Sequence, residues 1–200
     1  MPTQDVIVIG GSAGALADLR ELLHGRPAGF PAAIFVVIHT SADRPRLLPA
    51  LLAKAGRLPA DYARDGDSIR FGKVTVAPPD HHLILKPAHV RVTRGPRENR
   101  FRPAIDPLFR TAAAASGRRV IGVILSGGQD DGVIGLAHIK RAGGNSARLT
   151  FTLYVPGMRG ALWELRDGEM IRFHCHVGHG FNVFRAHGTT QGNGSSWAWS

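Results

Sequence analysis

The apolar run Val6-Ile7-Val8-Ile9 leads directly into Gly10-Gly11-Ser12-Ala13-Gly14, and this junction constrains the fold more than any other stretch of the chain. Continuous apolar residues without alternation predict a strand buried on both faces. The residues behind it fit G-x-S-x-G, the pattern of a sharp strand-to-helix turn that presents a serine hydroxyl at the end of a parallel sheet. The helix that follows points backbone N–H groups toward that hydroxyl. Such a serine attacks a carbonyl if a histidine and a carboxylate arrive from elsewhere in the fold. Small residues also close ordinary nucleotide-binding turns, so the pentapeptide alone leaves both readings open.

Two nucleotide readings are disfavoured. A dinucleotide fingerprint needs G-x-G-x-x-G, and its first glycine would fall near Ile9; the second strand should then end in Asp or Glu. Here the second apolar run, Ala33–Ile38, ends in His39. No G-K-[ST] follows the glycines, which argues against a phosphate-cradling loop.

Leu16, Leu19, Leu22 and Leu23 recur at helical spacing and predict a helix from Gly14 to about His24. Leu47, Leu48, Leu51 and Leu52 predict a second, introduced by Pro45 and ended by Gly56. Between Tyr62 and Thr93 short apolar pieces are broken by Gly66, Gly72, Pro78-Pro79 and Pro87, which predicts short strands and hairpins. Asp106–Ser116 reads as a helix with Asp106 as N-cap before Pro107. Val120–Leu125 is a third buried strand, and Val133–Ala142 a helix closed by Gly143-Gly144. Strands alternating with helices predict a doubly wound parallel α/β sheet, a Rossmann-like three-layer arrangement. Such sheets place active sites at the carboxyl ends of their strands. Ser12, His39 and the pair Asp130-Asp131 each fall just past a predicted strand end. His39 also reads as a core or rim histidine, and Asp131 or Asp130 as a turn residue or the cap of the helix at Val133. Phe151–Phe181, with its turn at Asp167-Gly168, reads as a small β-hairpin appendage at the C-terminus. From Arg185 onward the composition predicts a disordered tail.

Two hundred residues suffice for one ordinary domain. One cysteine, Cys175, excludes an intrachain disulfide and suits a cytoplasmic location. No apolar stretch is long enough to span a membrane, so no membrane insertion is expected. A formal charge of +10 points to nucleic acid or an acidic protein partner. The arginines are not interleaved with aromatics, so nucleic-acid binding is not expected.

Four blocks now carry a resemblance. They are Ile9-Gly10-Gly11-Ser12-Ala13-Gly14; Val37-Ile38-His39; Ala77-Pro78-Pro79-Asp80-His81-His82-Leu83; and a last block, running from Gly95-Pro96-Arg97-Glu98-Asn99 through Arg102–Arg110 to Leu125–Gly132. In this order they resemble the catalytic domain of the bacterial chemotaxis receptor methylesterases, the protein-glutamate methylesterase/protein-glutamine glutaminase family, over about residues 5–144. The resemblance implies a serine–histidine–aspartate triad of Ser12 as nucleophile, His39 as general base and Asp131 as the orienting carboxylate. It implies backbone oxyanion donors at Ala13 and Gly128, and no cofactor or metal. The implied substrates are methylated chemoreceptor cytoplasmic domains, and glutamine deamidation is the sister reaction. The sequence assigns His81 and His82 no partner; Arg97, Arg102 and Arg110 read as solvated or as facing an acidic receptor surface.

Departures from the family pattern set further expectations. Gly127-Gly128-Gln129 replaces Gly-Met-Gly. Family members continue for several tens of residues beyond Gly143-Gly144, which here predicts a sheet short of an edge strand and a covering helix. Leu162-Trp163-Glu164 and Arg172–His179 resemble the second half of a zinc ribbon whose first cysteine pair is replaced by Val155 and Met158. Cys175, His179 and His174 or His176 make three ligands at most, short of the four that structural zinc requires. The expected division is a catalytic unit over 1–148, a degenerate ribbon-like unit over 149–184 and a tail over 185–200. With no receiver domain before Met1, control in trans by a separate receiver protein is expected, or none. The alternative to an enzyme is a catalytically impaired relic that retains a docking surface.

Overall fold

The computed structural model describes residues 5–39, 47–125, 131–149, 162–167, 170–175 and 180–184. At the centre lies β1 (Val6–Ser12), flanked by β2 (Ala33–His39) and by a later strand, β7 (Val120–Leu125), both parallel to it. The three continuous apolar runs form these three strands, because a strand covered on both faces needs an apolar side chain at every position. Alternate residues point to opposite faces. Val8, Phe35 and Val37 pack on one side with α3 (Ile105–Ser116) and α4 (Val133–Arg141). Ile9, Ile34, Val36 and Ile38 pack on the other with α1 (Leu16–Leu23) and α2 (Leu48–Ala53). This is the expected doubly wound α/β architecture.

Beyond β2 the sheet continues through two short parallel strands, β4 (Lys73–Val76) and then β3 (Ala60–Tyr62) at the edge. The sequence between Tyr62 and Thr93 thus contributes to the main sheet as well as forming a hairpin. Only β5 (His82–Leu85) and β6 (Val90–Thr93) pair antiparallel, in a separate two-stranded sheet.

On the other side of β7 stands β8 (Asn145–Leu149), again parallel. The expectation that the sheet lacks a strand after Gly143-Gly144 is therefore corrected. β9 (Leu162–Asp167), β10 (Met170–Cys175) and β11 (Gly180–Phe184) extend the same sheet antiparallel, with β9 joined to β8 at Ala147 and Leu165. Gly128, Asp130, His176, His179 and the tail from Arg185 lie outside the described residues, as do the side chains of His174 and Cys175. Among the described residues no helix is long and apolar enough to cross a membrane, and no group of three or more His, Cys, Asp or Glu could hold a metal.

Helix α4 ends as its glycines predict. Gly143 adopts φ 80°, and the N–H groups of Gly143 and Gly144 return to the carbonyls of Lys140 and Ile139. The strand order reverses direction between β1 and β7. That is the position where an open α/β sheet leaves a crevice beyond its carboxyl ends.

Candidate active site

Ser12 is the last residue of β1 and His39 the last of β2, and the parallel register places them directly opposite each other. Ser12 is extended (φ −90°, ψ 174°), and a short 3-10 turn, Ala13–Ala15, leads from it into α1. Close packing beneath this turn explains Gly11. A Cβ there would lie 2.8 Å from the Ala15 methyl and 2.9 Å from the Leu125 carbonyl. The first N–H groups of a helical turn have no intrahelical acceptor, so Ala13 begins a segment suited to an oxyanion.

Asp131 follows β7 and reaches the same edge. Its Oδ2 accepts a 2.7 Å hydrogen bond from His39 Nε2 and a 2.8 Å bond from the Ile105 N–H. Its Oδ1 accepts from the Asp106 N–H at 3.1 Å and from Asn99 Nδ2 at 3.0 Å. Asp131 thus does not cap the helix at Val133, whose N-cap is Gly132. Instead it sits on the N-terminus of α3, where free N–H groups and the helix dipole favour an anion. Burial drives the carboxyl toward its neutral form, but the bonds from His39, Ile105, Asn99 and Asp106 outweigh burial and hold it below the ordinary carboxylate value.

Asp106 is not the N-cap that the sequence predicts. The N-cap of α3 is Ala104, and the Asp106 carboxylate makes no capping bond. It is almost fully buried, and its Oδ1 accepts from the Gly135 N–H of α4 at 2.6 Å while Oδ2 accepts from Asn99 Nδ2 at 2.9 Å. One amide nitrogen on Asn99 therefore bridges two buried carboxylates, and Asp106 ties α3 to α4 beneath the site.

Asn99 and Phe101 belong to a turn that sequence reasoning assigned no role. Glu98 and Phe101 exchange backbone hydrogen bonds of 3.1 and 2.8 Å around Asn99 (φ 49°) and Arg100 (φ 71°), a two-residue hairpin of the primed type. Asn at a left-handed position was a usable signal, since Asn tolerates that conformation; nothing local marked Phe101. Its ring stacks on His39 with centroids 3.7 Å apart and planes 4° from parallel. The imidazole is thereby held at its Nε2 by Asp131 and across one face by Phe101.

The loop carrying this turn is anchored by ion pairs. Arg102 forks onto Asp80 Oδ1 at 2.8 and 2.6 Å and donates to the Gly95 carbonyl, and Arg94 adds a bond to Asp80 Oδ2. Arg102 foremost, with Arg94 behind it, holds the Asp80 carboxyl below its ordinary value. Arg110 forks onto Glu98, which raises the guanidinium pKa further. Arg102 and Arg110 are thus structural, whereas Arg97 is exposed. His82 is buried, donating from Nε2 to the Pro96 carbonyl and accepting the Ala104 N–H at Nδ1; His81 Nδ1 bonds the Pro79 carbonyl. Both histidines therefore have partners that the sequence did not reveal.

The fold is a doubly wound α/β sheet, and at its switch point it gathers a histidine bonded to a buried aspartate with a serine in register beside the histidine. The family model for CheB methylesterase matches residues 7–166, and the chain belongs to that family. It is 42% identical over 162 residues, 80% of its length, to protein-glutamate methylesterase/protein-glutamine glutaminase 2 of Anaeromyxobacter dehalogenans, of which it covers 48%. A similarly named protein of Pseudomonas aeruginosa is 34% identical over 174 residues, with 50% of that protein covered. The chain thus spans about half the length of these curated relatives. The crystal structure of the Thermotoga maritima CheB methylesterase catalytic domain superposes with a TM-score of 0.67 at 32% identity, covering 72% of this chain and 78% of that one.

Proposed function

We propose that this chain is a serine hydrolase that removes methyl groups from glutamate methyl esters on chemoreceptor cytoplasmic domains and deamidates glutamines there. The observation that carries the reading is the 2.7 Å bond between His39 Nε2 and Asp131, with Ser12 in register beside His39 at the strand ends. With Nε2 donating to the carboxylate, Nδ1 is left as the basic nitrogen. Ser12 Oγ attacks the γ-carbonyl carbon of the ester while its proton passes to Nδ1. The tetrahedral oxyanion is met by the Ala13 N–H and by Gly128. Collapse breaks the bond to methoxide, which leaves as methanol with the proton from Nδ1. Water, deprotonated by the same nitrogen, then attacks the acyl-enzyme and frees the glutamate carboxylate and Ser12. With a glutamine substrate the leaving group is ammonia. No step needs a metal or a cofactor.

The proposed partners are methylated receptor domains and a separate receiver protein, and the proposed location is the cytoplasm. The catalytic unit is assigned to residues 1–148, with 149–184 as a ribbon-like appendage. The test is methanol release from a methylated receptor cytoplasmic fragment, comparing the chain with Ser12→Ala. Release by the unsubstituted chain alone is expected. No release from protein that circular dichroism shows to be folded, or equal release by Ser12→Ala, overturns the proposal.

A further inference from the structure

The turn Glu98–Phe101 points Asn99 and Phe101 at the triad, and between them stands Arg100, an exposed cation that the chemistry described so far does not use. Arg100 adopts φ 71° at the second central position of a primed hairpin. Glycine is the residue this position favours, since a Cβ there is crowded by its own backbone. A long charged side chain is a costly choice for such a place, and packing does not account for it because the residue is exposed.

Among the described residues, the carboxylates near the turn are already taken. Asp65 pairs with Arg91, Asp80 with Arg94 and Arg102, and Glu98 with Arg110. Among the described residues, neither Arg97 nor Arg100 makes an ion pair. Surplus positive charge is thus left at the rim of the site, on the residue adjoining the ring that lies 3.7 Å from His39. The loop beneath is fixed by the Arg102 and Arg110 forks, so the cation is presented on a firm support.

We propose that Arg100 is a recognition residue that binds a carboxylate flanking the methylated glutamate, so that the substrate segment seated beside His39 is acidic. The proposal rests on the methylesterase reading for the identity of that segment. A planar guanidinium suits a carboxylate because two parallel N–H groups meet its two oxygens. At an exposed rim the pair is partly screened, so the expected effect is modest: roughly 3- to 10-fold in affinity, shrinking as salt is raised.

The experiment measures binding, which keeps it independent of turnover. The methylated receptor fragment is titrated into the Ser12→Ala chain with and without Arg100→Gly. A second fragment has the acidic residues flanking the ester changed to their amides. Arg100→Gly is expected to weaken binding of the acidic fragment roughly 3- to 10-fold at low salt, to leave the amide fragment unaffected, and to raise the thermal midpoint by a few degrees through relief of the backbone. Arg118→Ala, which removes an equal charge at the opposite end of β7, is expected to leave binding within twofold. Equal affinity of the Arg100→Gly and Arg100 chains for the acidic fragment overturns the proposal. So does an equal loss with the amide fragment, or the absence of any binding. Failure of the methylesterase reading appears separately, as absence of methanol release.

Discussion

Replacing Asp131 by asparagine changes one atom, and its consequence follows from the donors around it. The two carboxylate oxygens face four: His39 Nε2 and the Ile105 N–H at Oδ2, and the Asn99 amide and the Asp106 N–H at Oδ1. An asparagine has one acceptor oxygen and one NH2 group, so in either orientation two inward-facing donors meet another donor. If the oxygen stays toward His39, the Asp106 N–H loses its acceptor and the Asn99 amide keeps only the Asp106 carboxylate. A buried donor left unsatisfied costs about 1–3 kcal/mol, and of these two only the Asp106 N–H is buried and orphaned, so Asp131→Asn is expected to destabilise the fold by about 1–3 kcal/mol. That is a large fraction of the roughly 5–15 kcal/mol available to an ordinary domain. Under the proposed mechanism activity falls further than stability, because a neutral amide would no longer stabilise the imidazolium formed as Ser12 attacks. In the serine-protease template the comparable change lowers kcat by about 10^4.

Urea unfolding read by circular dichroism gives the first quantity, and methanol release from folded variant gives the second. An unchanged unfolding midpoint, or more than a tenth of the original kcat/KM, would refute the argument that the saturated carboxylate both holds the site together and orients the base. The pH dependence has a fixed sign. Because the folded-state pKa lies below the ordinary value of 3.8, the native carboxyl binds fewer protons than the unfolded one in between. Its contribution is therefore fully present above about 3.8 and is lost as pH falls through the depressed folded value. Asp131→Asn is expected to flatten that part of the acid limb of a stability–pH curve.

Two further substitutions separate the supports of the His39–Asp131 pair. Asn99→Gly keeps a residue that accepts φ 49° but removes the amide shared by Asp131 and Asp106, and is expected to cost about 2–3 kcal/mol in urea unfolding together with a fall in kcat. A loss below about 0.5 kcal/mol would show that water replaces the amide. Phe101→Leu retains apolar volume but removes the stack on His39, worth about 0.5–1.5 kcal/mol, so kcat is expected to drop roughly 2- to 12-fold with KM nearly constant. Phe101→Tyr should restore the rate; a Tyr variant as slow as Leu would mean that the ring face is irrelevant.

The central strands were legible because burial on both faces forces a pattern that survives in one dimension. β1, β2 and β7 each carry continuous apolar residues, and Ser12 and His39 stand at the ends of two of them. Strands away from the centre lack that signature. β8 reads Asn145-Ser-Ala-Arg-Leu and is held in place by its pairing with β7, so its composition did not announce it. β4 alternates buried and half-buried residues, a pattern that suits an antiparallel hairpin equally well. The role of Asp106 is hidden from the sequence for a related reason. An aspartate one residue before a proline at a helix start looks like a cap, yet the donor that claims its Oδ1 belongs to Gly135, 29 positions away on another helix.

The arrangement around Asp131 also explains why the site's supports are distant in sequence. Two buried carboxylates, Asp106 and Asp131, lie close enough to share one amide nitrogen, and like charges so placed repel. Each needs dedicated donors, and a single helix terminus cannot supply them all. Asp131 takes the first N–H groups of α3, Asp106 takes one from α4, and Asn99 is delivered between them by a turn whose backbone few residues tolerate. The same turn sets Phe101 on His39 and leaves Arg100 at the rim. The His39 imidazole is thus oriented by a saturated hydrogen-bond shell before any substrate arrives, so under the proposed mechanism the chemical step need not wait for the His39–Asp131 pair to form.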